Sequence, residues 1–198
     1  MKKVIKYEQC VSALEGERLP AAFVDLDAFD SNLEKLLAPL DGSGKTMRIA
    51  SKSVRCPALL KRLHERGRGL VQGIMSYTVD EAAYLNSLGF DDLLVAYPTV
   101  QEPDMRLLAE LTKKGAGVTL VVDGPEHIRA MSEAGNAAGV QLEAIIEVDM
   151  SYRPAGDGMH VGVRRSTIRS GRQAVKLARL ARRLGGVKIA GVMGYEAQ

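Results

Sequence analysis

Seven short apolar, β-rich runs alternate with helical patterns along the chain, about every 25 residues, with one longer gap before the last. They are 21–27, 47–52, 70–77, 92–97, 118–123, 143–149 and 188–195. One strand, one helix and two loops fill such a period. Strand–helix alternation demands parallel strands joined by right-handed crossovers. Cap signals mark the helices: Ser31 with Glu34, Thr78 with Glu81, Thr99 with Glu102 and Ser170 with Gln173 read as capping boxes, and Asp123 with Glu126 looks similar. Gly89 and Gly185 stand where helices should stop. Residues 4–15 read as an extra helix before the first strand.

An open doubly wound sheet and a closed barrel both satisfy this alternation. A dinucleotide-binding sheet needs a glycine-rich turn after its first strand. Here the first run passes into Ala28-Phe29-Asp30-Ser31-Asn32, with no glycine. The reading is therefore an α/β fold, a (β/α)8 TIM-type barrel. Such barrels have eight strands and about 250 residues. Seven runs in 198 residues predict a barrel cut short after its seventh strand, with a helical stretch over 1–18 and seven βα units over 19–198.

Composition narrows the function classes. A chain 46% hydrophobic and 26% charged folds around a core, which excludes a disordered tail. A net charge of +3 falls short of a nucleic-acid footprint. Two cysteines, Cys10 and Cys56, make no disulfide framework and fit a reducing compartment, so the expectation is cytoplasmic. The first residues lack the apolar run of a signal peptide, and no stretch approaches the roughly 20 apolar residues of a membrane helix. Neither nucleic acid nor membrane is expected as a partner.

Lys52 is the most informative residue. It ends the second run, at the carboxyl rim where βα barrels carry their active sites. A lysine buried there would lose charge and become a free amine able to condense with an aldehyde. The bland alternative is a lysine that snorkels outward. Arg48 shares its face, four residues back and about 13 Å deeper. With Asp25 pointing inward from the first run, an Arg48–Asp25 pair in the barrel floor is expected as a structural element. Asp27 is an alternative cap for the helix that follows.

The longest insertion, 150–170, contains Ser151, Tyr152, Arg153, His160, Arg164 and Arg165. Glu147 and Asp149 alternate onto one strand face and could meet these cations. Arg153 and His160 are the candidates for a planar or anionic ligand. Tyr97 and Tyr195 end their strands as candidate hydrogen-bond donors. Gly42-Ser43-Gly44-Lys45-Thr46 imitates a P-loop, but Pro39 replaces the first glycine and a strand follows. No His or Cys pair has metal-ligand spacing, and no Gly-x-Ser-x-Gly elbow occurs. Arg172, Lys176, Arg179 and Arg183 align on one side of the 171–184 pattern, which reads as the solvated face of a barrel helix.

These motifs together resemble the alanine-racemase-type barrel family that uses pyridoxal 5'-phosphate, and within it the D-threonine aldolase and D-serine dehydratase branch. The carrying segments are 19–29, 48–56, 77–82, 92–98, 147–153, 160–166 and 191–196. The resemblance implies that Lys52 forms the Schiff base with pyridoxal phosphate, and it gives Arg48 a place in an Arg-x-x-x-Lys pattern. It points at Tyr152, Arg153 and Tyr195 as cofactor neighbours; the reading of the insertion adds His160 to them, and the residue pattern puts Asp25, Arg48 and Asp149 in support. The branch often has His two residues before the lysine, where this chain has Ala50. The implied function is a lyase, an aldolase or dehydratase of a D-3-hydroxy amino acid. A racemase of the same fold and a non-catalytic pyridoxal phosphate homeostasis protein are the alternatives. So is a barrel enzyme with a Schiff-base lysine and no cofactor. A homodimer, a phosphate-binding loop after an eighth strand, and a C-terminal β-domain carrying ligands for a divalent metal are implied beyond Gln198. Residues 1–198 alone are then expected to be catalytically poor.

Overall fold

A computed structural model describes residues 6–196. Six parallel strands form one sheet: β1 (Met47–Ala50), β2 (Val71–Ser76), β3 (Leu93–Val95), β4 (Val118–Val122), β5 (Leu142–Val148) and β6 (Val187–Gly194). Seven helices accompany them: α1 (Tyr7–Ala13), α2 (Leu26–Leu37), α3 (Pro57–Arg66), α4 (Val79–Ser87), α5 (Glu102–Lys113), α6 (Pro125–Ala138) and α7 (Gly171–Leu184). Spatial order equals sequence order, β1 through β6. A flat sheet in that order would hold β1 and β6 about 24 Å apart. Instead, residues at the carboxyl ends of β1, β2, β3 and β6 line one cleft. The sheet is therefore curled into the arc of a barrel.

The expected first strand is absent. Residues 21–25 make no ladder, and β1 is an edge strand among the described residues. Asp25 instead caps α2, its Oδ1 accepting from the Ala28 N–H at 3.0 Å. That cap starts the helix at Leu26 and leaves too short a run to stand as a strand without a partner. The described sheet thus has six strands where seven were expected. It follows that Ser31 lies inside α2 and caps nothing. Of the other predicted caps, Thr78 and Ser170 accept from Glu81 and Gln173 as expected. Thr99 does not cap α5; it sits outside the helix and donates to Asp104 at 2.6 Å. Gly124, not Asp123, is the N-cap of α6. Helix α1 falls within the expected 4–15, of which residues 4 and 5 lie outside the described residues.

Strands β3 and β4 are buried almost throughout, as parallel strands covered on both faces must be. Their side chains and those of β5 pack against α4–α7, with Leu108, Leu120, Ile128 and Leu142 fully excluded from solvent. Each such side chain contributes about 1.5–3 kcal/mol on burial. A smaller cluster, Leu33, Leu37, Leu63 and Val71, holds α2 and α3 against β2. This core fixes the strand ends, and therefore the loops that carry polar side chains.

Candidate active site

Strand β1 breaks into a 3-10 turn at Ser51–Ser53, anchored by the buried Ser51. Lys52 projects from this turn at the carboxyl rim. It lines a cleft of about 250 Å³ with Ser51, Ser76, Tyr77, Arg165, Met193 and Tyr195 around it. Lys52 is exposed, so the burial expected from its place on the strand is absent. No hydrogen bond or ion pair engages its amine among the described residues.

The cleft walls are ordered by aromatic and charged contacts. Tyr77, just past β2, packs on Tyr97, just past β3, with ring centroids 4.6 Å apart and tilted by 59°. Arg165 lies over the Tyr195 ring, 5.0 Å from its centroid. Its Nε donates to Glu147 Oε1 at 2.7 Å, and Glu147 is 2% exposed. A buried carboxylate on β5 thus orients an arginine that orients a tyrosine at the end of β6.

The 150–170 segment folds back over the ends of β4 and β5. The Ser166 hydroxyl donates to the Glu147 carbonyl at 2.6 Å, the Asp149 N–H to the Ile168 carbonyl at 2.7 Å, and the Thr167 hydroxyl to the Asp123 carbonyl at 2.6 Å. Asp149 accepts from the Ser151 N–H at 2.9 Å, pairs with Arg153 at 3.2 Å, and faces Arg169 at 3.5 Å. Burial pushes the Asp149 carboxyl up, but the Ser151 hydrogen bonds and the two guanidinium charges outweigh it and hold its pKa below the ordinary value.

The predicted residues therefore divide. Lys52 and Tyr195 meet in the cleft. Arg153 is committed to Asp149 and, at 3.1 Å, to Ser151. Tyr152 forms an antiparallel bridge with Val161, and His160 Nε2 lies 2.8 Å from the Gly162 carbonyl. These three are not among the cleft-lining residues. Arg48 does not reach Asp25. It closes on Asp92 at the opposite rim, with Nη2 2.8 and 2.9 Å from the two carboxylate oxygens and Nη1 on the Asp92 carbonyl. Asp25 serves as a helix cap instead, so the floor pair is formed by a different acid.

Sequence reasoning gave no special role to Arg165, whose partner Glu147 lies 18 residues away. The alternation of Glu147 and Asp149 was the available signal. It also passed over His127, whose Nδ1 is 3.3 Å from Asp123 Oδ1 in a mostly buried pair at the end of β4. Among the described residues, no three His, Cys, Asp or Glu side chains cluster closely enough to hold a metal ion. No helix among them is long and apolar enough to cross a membrane.

The curled parallel sheet is shared with known proteins. Residues 24–198 match the family model of the alanine racemase N-terminal domain, and the chain belongs to that family. It is 28% identical over 89% of its length to the D-threonine aldolase of an Arthrobacter species, covering 42% of that protein. It is 29% identical over 70% of its length to the D-threo-3-hydroxyaspartate dehydratase of a Delftia species, covering 36% of it. Among solved structures, the D-threonine aldolase of Filomicrobium marinum superposes with a TM-score of 0.71 at 27% identity, over 88% of this chain and 43% of that one. The chain thus spans less than half the length of the relatives it matches. The α/β barrel class expected from the sequence stands.

Proposed function

We propose that this chain is the barrel part of a pyridoxal-phosphate-dependent lyase acting on a D-3-hydroxy amino acid, as an aldolase or a dehydratase. The observation that carries the reading is the Lys52 amine, standing unpaired at the carboxyl rim in a cleft walled by four strand ends. The named relatives support the reaction class.

The donor set fits the aldehyde end of this cofactor. A primary amine without a competing partner faces a cleft with tyrosine walls, and its about 250 Å³ suits part of a ligand more than a whole drug-sized one. When bound, the cofactor would supply an aldehyde for the amine and a conjugated ring that accepts electron density from the substrate's Cα. Lys52 would hold the cofactor through its Nζ, an atom that can also carry protons. Tyr77, backed by Tyr97, would shield one wall from water. Glu147 would hold Arg165, and Arg165 would hold Tyr195, so that the phenol stays at the cleft edge. Arg165 is the one arginine lining the cleft, and Glu147 already engages it. A full grip on the cofactor's phosphate would therefore call on groups beyond these lining residues.

The test is reduction with borohydride after adding pyridoxal phosphate, followed by peptide mapping. The expected result is a stable adduct on Lys52 that disappears in Lys52→Ala. An adduct that persists in the variant overturns the assignment. Offering D-threonine and D-3-hydroxyaspartate then separates the reactions. Aldehyde release marks an aldolase, keto acid release a dehydratase, and inversion alone a racemase. An adduct without turnover is the outcome expected of residues 1–198 alone.

A further inference from the structure

The outer wall of the barrel carries an open groove of about 1080 Å³ over α7 and the start of α6. It shares no residue with the Lys52 cleft. Six cations line it: Arg129, Arg172, Lys176, Arg179, Arg182 and Arg183. All are exposed, and none pairs with a carboxylate among the described residues. Helix α7 contains no Asp or Glu at all.

Helix stability does not explain this pattern. Solvated helices gain from opposite charges four residues apart, and like charges at that spacing repel. Here Arg172 faces Lys176, and Arg179 faces Arg183, both four apart. Arg172 also sits in the first turn of α7, where the helix dipole disfavours a cation. Bringing anions to the stripe would relieve both conflicts.

The geometry selects among anions. At 3.6 residues per turn, Arg172, Lys176, Arg179 and Arg183 fall within about 60° of one another and span about 16 Å of helix axis. Exposed Val175 flanks the stripe on one side and half-buried Leu180 on the other, and Ile168 and Leu177 add to the lining. No aromatic ring lines the groove, so single-stranded bases would find no stacking platform. A cationic row with aliphatic edges instead matches a helix whose acids repeat every three or four residues beside apolar side chains.

We propose that this groove docks an acidic amphipathic helix of a partner protein, its carboxylates on the Arg172–Arg183 stripe and its apolar side chains against Val175 and Leu180.

The test uses fluorescence anisotropy with the chain and a labelled helical peptide of about 20 residues, bearing glutamates at i, i+4, i+7 and i+11 with leucines alongside. Two further probes are a peptide of equal composition with its glutamates dispersed around the helix and a duplex DNA of similar length. The aligned peptide is expected to bind at least about tenfold more tightly than either. Replacing Arg172, Lys176, Arg179 and Arg183 by Gln should weaken it by at least about tenfold, with circular dichroism unchanged. Val175→Ser should weaken the peptide by about threefold and leave DNA binding unaltered. The Val175 variant and the probe comparison keep the test decisive even if the quadruple variant fails to fold. Equal binding of the dispersed peptide would reduce the groove to unselective charge and overturn the proposal. Tighter binding of DNA would make it a nucleic-acid surface and overturn it likewise. Undiminished peptide binding by the glutamine variant would also overturn it.

Discussion

The two rims of the sheet use the same strand differently. Toward the amino end of β1, Arg48 is locked onto Asp92, with three contacts to one residue. Just past the carboxyl end, Lys52 has none among the described residues. Asp92 adopts a left-handed φ of 54° in that clamp, and Gly73 beside it a φ of 63°. A Cβ at Gly73 would meet the Arg48 guanidinium and the Asp92 carbonyl. The left-handed backbone of Asp92 and the satisfied charge therefore sit at the rim opposite the Lys52 cleft. At the carboxyl rim, the pairs Glu147–Arg165 and Asp149–Arg153 are formed, and the Lys52 amine is left uncommitted. The difference follows the general division of βα barrels, in which one face maintains the fold and the other does chemistry.

That contrast can be broken by substitution. Gly73→Ala should cost the most, about 4 kcal/mol in chemical denaturation, since both the positive φ and the packed backbone resist a side chain. A neutral result would show the clamp to be loose. Next, Glu147→Ala should destabilise by about 2–4 kcal/mol, because it leaves the Arg165 guanidinium without its buried partner. Arg48→Ala, which removes a partly exposed pair, should cost about 1 kcal/mol.

A pH titration distinguishes the rims further. His64 lies near the clamp, and burial lowers its pKa from the usual 6.5, with the Arg48 charge also lowering it and Asp92 opposing. The unfolded chain takes up this proton as pH falls through about 6.5 while the folded chain resists, so stability should decline below that pH until the folded imidazole protonates. His64→Gln should flatten this limb of the stability curve. Asp149 works from the other rim and lower on the scale. Its lowered pKa contributes stability that is present above about pH 4 and lost as pH falls through the folded value. Smallest of all should be the stability change in Lys52→Ala, within about 0.5 kcal/mol, since no fold contact is lost. A large loss there would erase the distinction between the rims.

Much of this was legible because parallel sheets write themselves plainly. Six of the seven apolar runs are strands, and Lys52 stands at the rim that its place after Met47–Ala50 required. The 21–27 run misled because apolar alternation reports only the wish to be buried. A ladder partner decides whether a strand forms, and Asp25 had a competing use as a cap. Arg48 misled for a related reason. Asp25 was its neighbour only if the first run paired, whereas Asp92 reaches it from a bend before β3 that no periodicity announces. At the end of β5, Glu147 and Asp149 could be matched to cations by strand alternation. Which cation met which acid depended on how residues 150–170 fold back, and the hydroxyls of Ser166 and Thr167 fix that path.

The chain has six tyrosines and no tryptophan. Tyr77 and Tyr195 line the Lys52 cleft, and Tyr97 rests on Tyr77. Half of its ultraviolet emitters thus gather at one mouth, so a chromophore arriving there would quench the native glow, and filling of the cleft could be followed optically without any added label.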